Sequence, residues 1–261
     1  MPPGNHPVII IPGYGAPSYQ NDYIGRHLQA QGLDTLKIKL PWMAMGDMTR
    51  SARIVAEQAT RLREVHGFEK VSFFGYSLGG LIARYYLQEL DGYPLLGRGA
   101  FVSVPNSGTY VGYLGFFSAA GRQVRPGSTL IRRLNESPLA DSVADRCLSV
   151  FVRWDGVVVP SNNAFLPNAY NVLRSRPFLH WRALIDKDII RYAADFLVAG
   201  TSEDVAPGRD LPMLQGGDIV AIPFSESAGR AGRALRVAAS PFRSLASRVG
   251  GIFRRQGQEK K

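Results

Sequence analysis

A serine between glycines, in the stretch GYSLG at residues 75–79, is the first residue of this sequence that could do chemistry. A β-rich run, VSFF, precedes it, and an amphipathic helical run, GLIARYY, follows it. A nucleophilic serine of this kind needs a strand, a turn too tight for flanking side chains, and then a helix N-terminus. Such a turn lifts the hydroxyl above the carboxyl edge of a parallel sheet, where ligands bind. The pattern predicts that Ser77 is a nucleophile, and the alternative is a glycine-rich turn with an unreactive serine.

A base and an acid are needed beside this serine, because its hydroxyl alone is a poor nucleophile. In a strand–turn–helix site the chain order is serine, then Asp or Glu, then His. His180, in RPFLHWRALIDKD, is the late one of the four histidines and stands just before the final helical pattern, in an expected loop. Asp155 follows the strand-like run CLSVFVR at an Asp-Gly turn, where its carboxylate would orient the imidazole. His180 and Asp155 are the predicted base and acid; the alternatives are an ordinary loop histidine and a plain turn.

Two backbone amides complete the predicted site. A tetrahedral oxyanion needs N–H donors from the residue after the nucleophile, Leu78, and from a loop after an early strand. That loop is IPGYGAP, residues 11–17, and its predicted donor is Tyr14. A dinucleotide site in this loop is a poor alternative, because GYG lacks the third glycine and the helix start. No metal-ligand spacing is present in the sequence, and we expect neither a metal nor a cofactor.

The elements that must position these residues alternate along the chain. Strand patterns (residues 7–11, LDTLKIKL, KVSFFG, GAFVSV and CLSVFVR) alternate with helical patterns, which run from residues 23–31 to DKDIIRYAADFLVAG. This alternation predicts an α/β fold with a mostly parallel central sheet and helices on both faces. We expect residues 1–200 to form the catalytic domain. Residues 201–261, rich in Gly, Pro, Ser and Arg, are expected to be a poorly ordered basic extension.

Positive charge is concentrated in the last part of the chain. Residues 228–261 carry nine basic and one acidic residue, which is +8 of the net charge of +10. Two short amphipathic pieces there predict peripheral contact with an anionic membrane, and a solvated disordered tail is the alternative. The body lacks a basic helix for a groove, which argues against sequence-specific nucleic-acid binding. No signal peptide or apolar run of spanning length is seen, so we expect a cytoplasmic or membrane-peripheral protein.

Six stretches, in order, resemble α/β-hydrolases of the bacterial lipase type, and in particular small intracellular lipase-like proteins. They are VIIIPGYG, GYSLGGLIARYYLQ, VSVPNSGT, RPGSTLIRRLN, WDGVVVPSNNAFLP and HWRALIDKDIIRYAADFL. The resemblance implies an α/β-hydrolase fold, a triad of Ser77, Asp155 and His180, and hydrolysis of carboxylic esters of apolar acyl groups through an acyl-enzyme. This sequence departs from the family twice, with Pro12-Gly13 in place of the usual His-Gly and GYSLGG in place of GHSMGG.

Residues 105–146 form an insertion without a strand pattern. An apolar cluster in it predicts a helical lid or the wall of an acyl site, and helices packing on the core are an equal alternative. The predicted substrate contacts are Tyr110, Tyr113, Phe116 and Phe117. Acyl transfer to an alcohol and phospholipase activity are open alternatives on the same triad. A non-catalytic membrane-surface protein is a further alternative, against which the intact Ser, Asp and His argue.

Overall fold

Seven strands lie in one sheet in the computed structural model, which describes residues 6–175, 179–198 and 219–222. They are β1 (Val8–Ile11), β2 (Thr35–Lys37), β3 (Val71–Tyr76), β4 (Leu96–Val102), β5 (Cys147–Val152), β6 (Tyr170–Arg174) and β7 (Ile219–Ile222). The strand order is β2-β1-β3-β4-β5-β6-β7. Every neighbouring pair is parallel except β6 with β7. The predicted mostly parallel sheet is confirmed.

Helices cover both faces of this sheet. The α-helices among the described residues are α1 (Ser18–Ala30), α2 (Met48–His66), α3 (Leu78–Glu89), α4 (Ala119–Gln123), α5 (Thr129–Glu136), α6 (Asp141–Ala144), α7 (His180–Ile185) and α8 (Lys187–Val198). Short 3-10 helices span Pro41–Ala44, Tyr93–Leu95, Tyr110–Tyr113 and Ser161–Ala164. Ile9 and Ile11 of β1 pack in a core cluster with α2 and α3, whereas Val8 and Ile10 pack with α1 and α8. Successive strand side chains point to opposite faces, so the core has two layers, as predicted.

One strand near the site has no counterpart in the predicted elements. The sequence pattern predicts no strand at β6, which lies between β5 and the predicted histidine loop. Asn171 interrupts its apolar pattern, yet it is buried and its amide donates to the carbonyls of Leu166 and Ala169, at 2.9 Å each. His180 therefore follows β6, and it is the first residue of α7 rather than a loop residue.

The insertion at residues 105–146 packs partly on the core and partly faces solvent. Leu130, Leu134 and Val143, in its later part, are buried in the same core cluster as α2 and α3. Its earlier part, around the 3-10 helix Tyr110–Tyr113, leaves large apolar side chains exposed. They are Tyr113, Leu114, Phe116 and Phe117.

A buried arginine fastens this insertion to α3. The Nη1 of Arg84 donates to the backbone and side-chain oxygens of Asn106, both at 3.1 Å. Its Nη2 donates to Leu134 O at 2.9 Å and to Asn135 Oδ1 at 3.1 Å, and its Nε donates to Gln88 Oε1 at 3.0 Å. None of these acceptors is a carboxylate, and burial lowers the pKa of Arg84 to about 10. The guanidinium thus stays charged at neutral pH and depends on five neutral acceptors.

The range 201–261 is described only at β7, which pairs antiparallel with β6. The basic segment at residues 228–261, with its predicted membrane contact, lies outside the described residues. The boundary at residue 200 stays a prediction. Among the helices of the described ranges, none combines the length and apolar character that a membrane crossing requires.

Candidate active site

Ser77 lies in a strained turn between β3 and α3. Its backbone has φ 53 and ψ −124, a positive φ that a residue with a side chain rarely adopts. The turn is held because the Ser77 amide donates to Val102 O of β4 at 2.9 Å. Strain of this kind persists only where the surrounding structure fixes it, and it clusters at functional sites.

Glycines let the strand, the turn and the helix approach one another. A Cβ atom at Gly79 would lie 2.2 Å from Ile11 O, and one at Gly75 would lie 2.7 Å from the Cα of Gly80. Neither separation is sterically possible, because the added Cβ would meet backbone atoms, which cannot rotate away as a side chain could. The close approach expected from the GYSLGG pattern is therefore present.

Asp155 and His180 form a buried hydrogen-bonded pair. His180 Nδ1 and Asp155 Oδ1 are 2.7 Å apart. Oδ1 also accepts from the amides of Val157 at 3.1 Å and Val158 at 2.7 Å. A carboxylate only accepts hydrogen bonds, so Nδ1 is the donor of this pair, and in the neutral imidazole Nε2 is the nitrogen with the free lone pair. The backbone adds a further contact, since the His180 amide donates to Asp155 O at 2.7 Å.

Ser77 and His180 line one cleft of about 450 Å³. No hydrogen bond joins the two side chains in the described part of the chain. In unliganded enzymes such bonds are often long and tighten only when substrate binds. The structure therefore brings the three predicted residues to one place: Ser77 and His180 face a common cleft, and Asp155 lies behind the imidazole.

Tyr76 contacts His180 through both its hydroxyl and its ring, and the sequence analysis did not predict this positioning role. Its hydroxyl donates to the backbone oxygen of His180 at 3.0 Å, and the two rings are 4.9 Å apart. Burial, and secondarily the Asp155 carboxylate, raise the pKa of Tyr76 well above its usual value, so the hydroxyl keeps its proton. The sequence did contain one sign of this role: Tyr76 stands where the lipase-type pattern GHSMGG has histidine.

The two predicted oxyanion donors belong to the loop that packs on Ser77 and to the helix that follows it. Tyr14 lines the cleft, and Leu78 is the first residue of α3. Among the described residues, neither amide donates a hydrogen bond to the protein, so both are free to bind an oxyanion. The helix N-terminus at Leu78 also favours negative charge.

The loop that carries Tyr14 is braced without the usual His-Gly pair. A Cβ at Gly13 would lie 3.1 Å from the Cβ of Ser77, so the loop packs directly on the turn around Ser77. The Gly15 amide donates to Met43 O at 2.8 Å. The Tyr14 hydroxyl donates to Ser118 Oγ at 2.9 Å, which ties the loop to the insertion.

The predicted substrate residues are only partly at the cleft. Phe117 lines it, whereas Tyr110, Tyr113 and Phe116 are not among its lining residues. Apolar lining that the predicted set did not contain comes from Val111, Leu114, Val157 and Trp181. These side chains come from the insertion, from the turn after β5 and from α7, so only the tertiary structure assembles them. Within the described residues there is no group of three His, Cys, Asp or Glu side chains placed to hold a metal ion.

Comparison with known proteins identifies the fold. No protein-family model and no curated protein matches this sequence. Solved structures do match. Mature lipase BlEst2 of Bacillus licheniformis is 15% identical with a TM-score of 0.61, over 77% of this chain and 94% of that chain. Lipase B of Aspergillus fumigatus is 20% identical with a TM-score of 0.56, over 62% of this chain and 42% of that chain.

A third structure, the carboxylesterase EstE1 from a metagenomic library, is 16% identical with a TM-score of 0.53, over 77% of this chain and 82% of that chain. Identities this low establish a shared architecture rather than a shared reaction. The predicted α/β-hydrolase fold is confirmed.

Proposed function

We propose that the chain is a serine hydrolase that cleaves carboxylic esters of apolar acyl groups through an acyl-enzyme. The observation that carries the proposal is the pairing of His180 with Asp155 beside the strained turn of Ser77, at the mouth of one apolar cleft. The likeness in fold to solved lipases and a carboxylesterase supports a hydrolase. Fold alone does not decide a reaction, so the proposal rests on the site.

In the first step the Ser77 oxygen attacks the carbonyl carbon of the ester, and its proton moves to Nε2 of His180. Nε2 is available because Nδ1 is held by Asp155. The carbonyl π electrons become an oxyanion, which the amides of Tyr14 and Leu78 would stabilise as backbone donors. The carboxylate of Asp155 offsets the positive charge that develops on the imidazole.

In the second step the carbon–oxygen bond to the alcohol breaks, and the proton on Nε2 passes to the leaving alcohol. The acyl group remains on Ser77. Water then repeats the attack, with His180 as its base, and releases the acid. Acyl transfer would differ only in the second nucleophile, an alcohol in place of water.

A fluorophosphonate label tests the nucleophile directly. We expect the reagent to mark Ser77 in the wild-type chain and to leave Ser77→Ala unlabelled. Turnover of p-nitrophenyl esters should fall on the order of a millionfold in kcat for Ser77→Ala and for His180→Ala, and the double variant should be little worse, because the residues act as a unit. Ser142→Ala is the matched control, since Ser142 is exposed on α6, just before the amino end of β5. A folded, fully active His180→Ala would overturn the assignment.

A further inference from the structure

Three contacts surround Tyr14 in the loop that carries the predicted oxyanion donor. On one side Gly13 packs on Ser77, where a Cβ at Gly13 would lie 3.1 Å from the Cβ of Ser77. On the other side the Gly15 amide donates, at 2.8 Å, to a carbonyl of the segment that follows β2. The Tyr14 hydroxyl donates to Ser118 Oγ at 2.9 Å. The first two contacts fix the backbone before and after Tyr14, and the third fixes its side chain.

The acceptor of the Gly15 amide stands in a strained segment. Trp42, Met43 and Ala44 have φ values of 54, 50 and 60, and residues with side chains rarely adopt a positive φ. Strain of this kind persists only where the surrounding structure fixes it, and it clusters at functional sites. Met43, the middle residue, supplies the carbonyl that receives Gly15. The strained segment is therefore one of the supports of the loop that carries Tyr14.

Ser118 is the other support, and it belongs to the insertion. Its Oγ accepts from the Tyr14 hydroxyl and, at 3.0 Å, from the Gly121 amide, and it donates to Gly115 O at 3.2 Å. A serine hydroxyl has one proton and two lone pairs, so these three bonds use it completely. The proton in the bond between Tyr14 and Ser118 therefore comes from Tyr14, and its direction is defined.

The helix that Ser118 caps is itself fastened to the fold. The side chain of Gln123, at the end of α4, accepts from the Met48 amide at 2.9 Å and donates to Asp47 Oδ2 at 3.0 Å. Both partners belong to the start of α2. Ser118 is also buried. It is thus a fixed point from which a side chain of the loop can be held.

We infer that Ser118 is a positioning residue of the proposed hydrolase, which acts through the Tyr14 side chain to hold the Tyr14 amide toward the oxyanion. The inference rests on the proposed function and deepens it, since it gives the insertion a role in the chemical step. In the lipase-type pattern a histidine precedes the glycine of this loop, whereas this chain has Pro12, whose ring forms no hydrogen bond. The bond between Tyr14 and Ser118 supplies a support that Pro12 cannot.

The kinetic signature follows from the moment at which the oxyanion exists. Negative charge develops on the carbonyl oxygen only in the transition state, so a misdirected amide raises the barrier without weakening the binding of substrate. A loss of this support should therefore change kcat and leave KM unchanged. A loss of general stability or of cleft shape has no such signature.

Tyr14→Phe removes the hydroxyl and keeps the ring that lines the cleft. For a p-nitrophenyl ester we expect kcat to fall about tenfold at constant KM, less than the roughly hundredfold or greater loss that follows removal of an oxyanion donor itself. A trifluoromethyl ketone forms a tetrahedral adduct with Ser77, and its Ki should rise by the factor by which kcat/KM falls. The pH profile should stay unchanged, because His180 and Asp155 keep their hydrogen bond. Tyr19→Phe is the matched control, since Tyr19 is exposed on α1 and does not line the cleft.

Variants of Ser118 connect the effect to the insertion. Ser118→Ala should lose at least as much in kcat as Tyr14→Phe, and the two changes combined should be no worse than Ser118→Ala, because they remove the same bond. Ser118→Thr keeps a hydroxyl that can accept from Tyr14 and cap α4, so it should retain most of the activity. A urea titration checks that each variant is folded, and Tyr14→Phe leaves the cap of α4 intact.

Two kinds of failure are distinguishable. A Tyr14→Phe variant as active as Tyr19→Phe would overturn the inference, as would a loss confined to KM, a ketone Ki that does not follow kcat/KM, or a shifted pH profile, which would assign the effect to His180. A wild-type chain that neither cleaves esters nor takes a fluorophosphonate label at Ser77 would instead refute the proposed function, and the inference with it.

Discussion

Asp155→Asn separates the charge of the carboxylate from its hydrogen-bonding geometry. Oδ1 of Asp155 faces three donors: His180 Nδ1 and the amides of Val157 and Val158. Oδ2 is buried, and no hydrogen-bond partner for it is present among the described residues. An asparagine must therefore place its carbonyl at the Oδ1 position, because its NH₂ group there would meet donors only. The His180 tautomer with Nδ1 protonated is kept, and the negative charge is lost.

The lost charge sets the expected size of the effect. Two unit charges about 4 Å apart attract each other by about 4 kcal/mol at an effective dielectric constant of about 20. This attraction is present only when the Ser77 proton has moved to His180. At about 1.36 kcal/mol per factor of ten, kcat should fall by about a thousandfold. That is less than the roughly ten-thousandfold loss expected when the substitution inverts the imidazole tautomer.

Steady-state hydrolysis of a p-nitrophenyl ester measures this loss, with Asp155→Ala as the comparator. The alanine variant loses charge and geometry together, so asparagine should retain more activity. The buried NH₂ group of the asparagine has no acceptor at the position of Oδ2, so the free energy of unfolding should fall by about 1 to 3 kcal/mol. A urea titration checks that the variant is folded under assay conditions. Near wild-type activity would refute the electrostatic role of Asp155, and activity equal to that of alanine would refute the hydrogen-bonding argument.

Three further changes test other parts of the structure. Tyr76→Phe removes the hydroxyl that donates to His180 O. Because one net hydrogen bond contributes about 0.5 to 1.5 kcal/mol, its loss should lower kcat by about two- to tenfold and leave KM unchanged. An equal change in KM would contradict a positioning role. Arg84→Met removes the Arg84 donor from the side-chain oxygens of Gln88, Asn106 and Asn135, whereas the two backbone acceptors keep donors from Gln88 Nε2 and Asn135 Nδ2. The free energy of unfolding in urea should therefore drop by about 2 to 4 kcal/mol, and a drop below about 1 kcal/mol would mean that other contacts hold the insertion on α3. In a series of p-nitrophenyl esters, kcat/KM should be higher for medium or long acyl chains than for acetate, by up to about fourfold for each methylene buried beside Leu114 and Phe117. A steady decrease of kcat/KM from two carbons upward would speak against an acyl site there.

The local parts of this architecture could be predicted because short-range sterics decide them. The turn around Ser77 needs a strand, small flanking residues and a helix start within about ten positions, and the sequence shows all three there. The alternation of strand and helix patterns likewise follows from side-chain periodicity. β6 escaped this reasoning, since Asn171 is buried through hydrogen bonds that only the folded loop supplies.

The sequence by itself determined the alternation of strands and helices up to β5 and the candidates Ser77, Asp155 and His180, because backbone periodicity and chemical type are properties of neighbouring residues. Only the tertiary structure decided which side chains meet: that Tyr76 holds His180 from 104 positions away, that Arg84 reaches across to the insertion, and that Tyr14 donates to Ser118. Such contacts depend on how strand ends and loops from distant parts of the chain come together when the two apolar layers close on the sheet, and no local pattern records that packing.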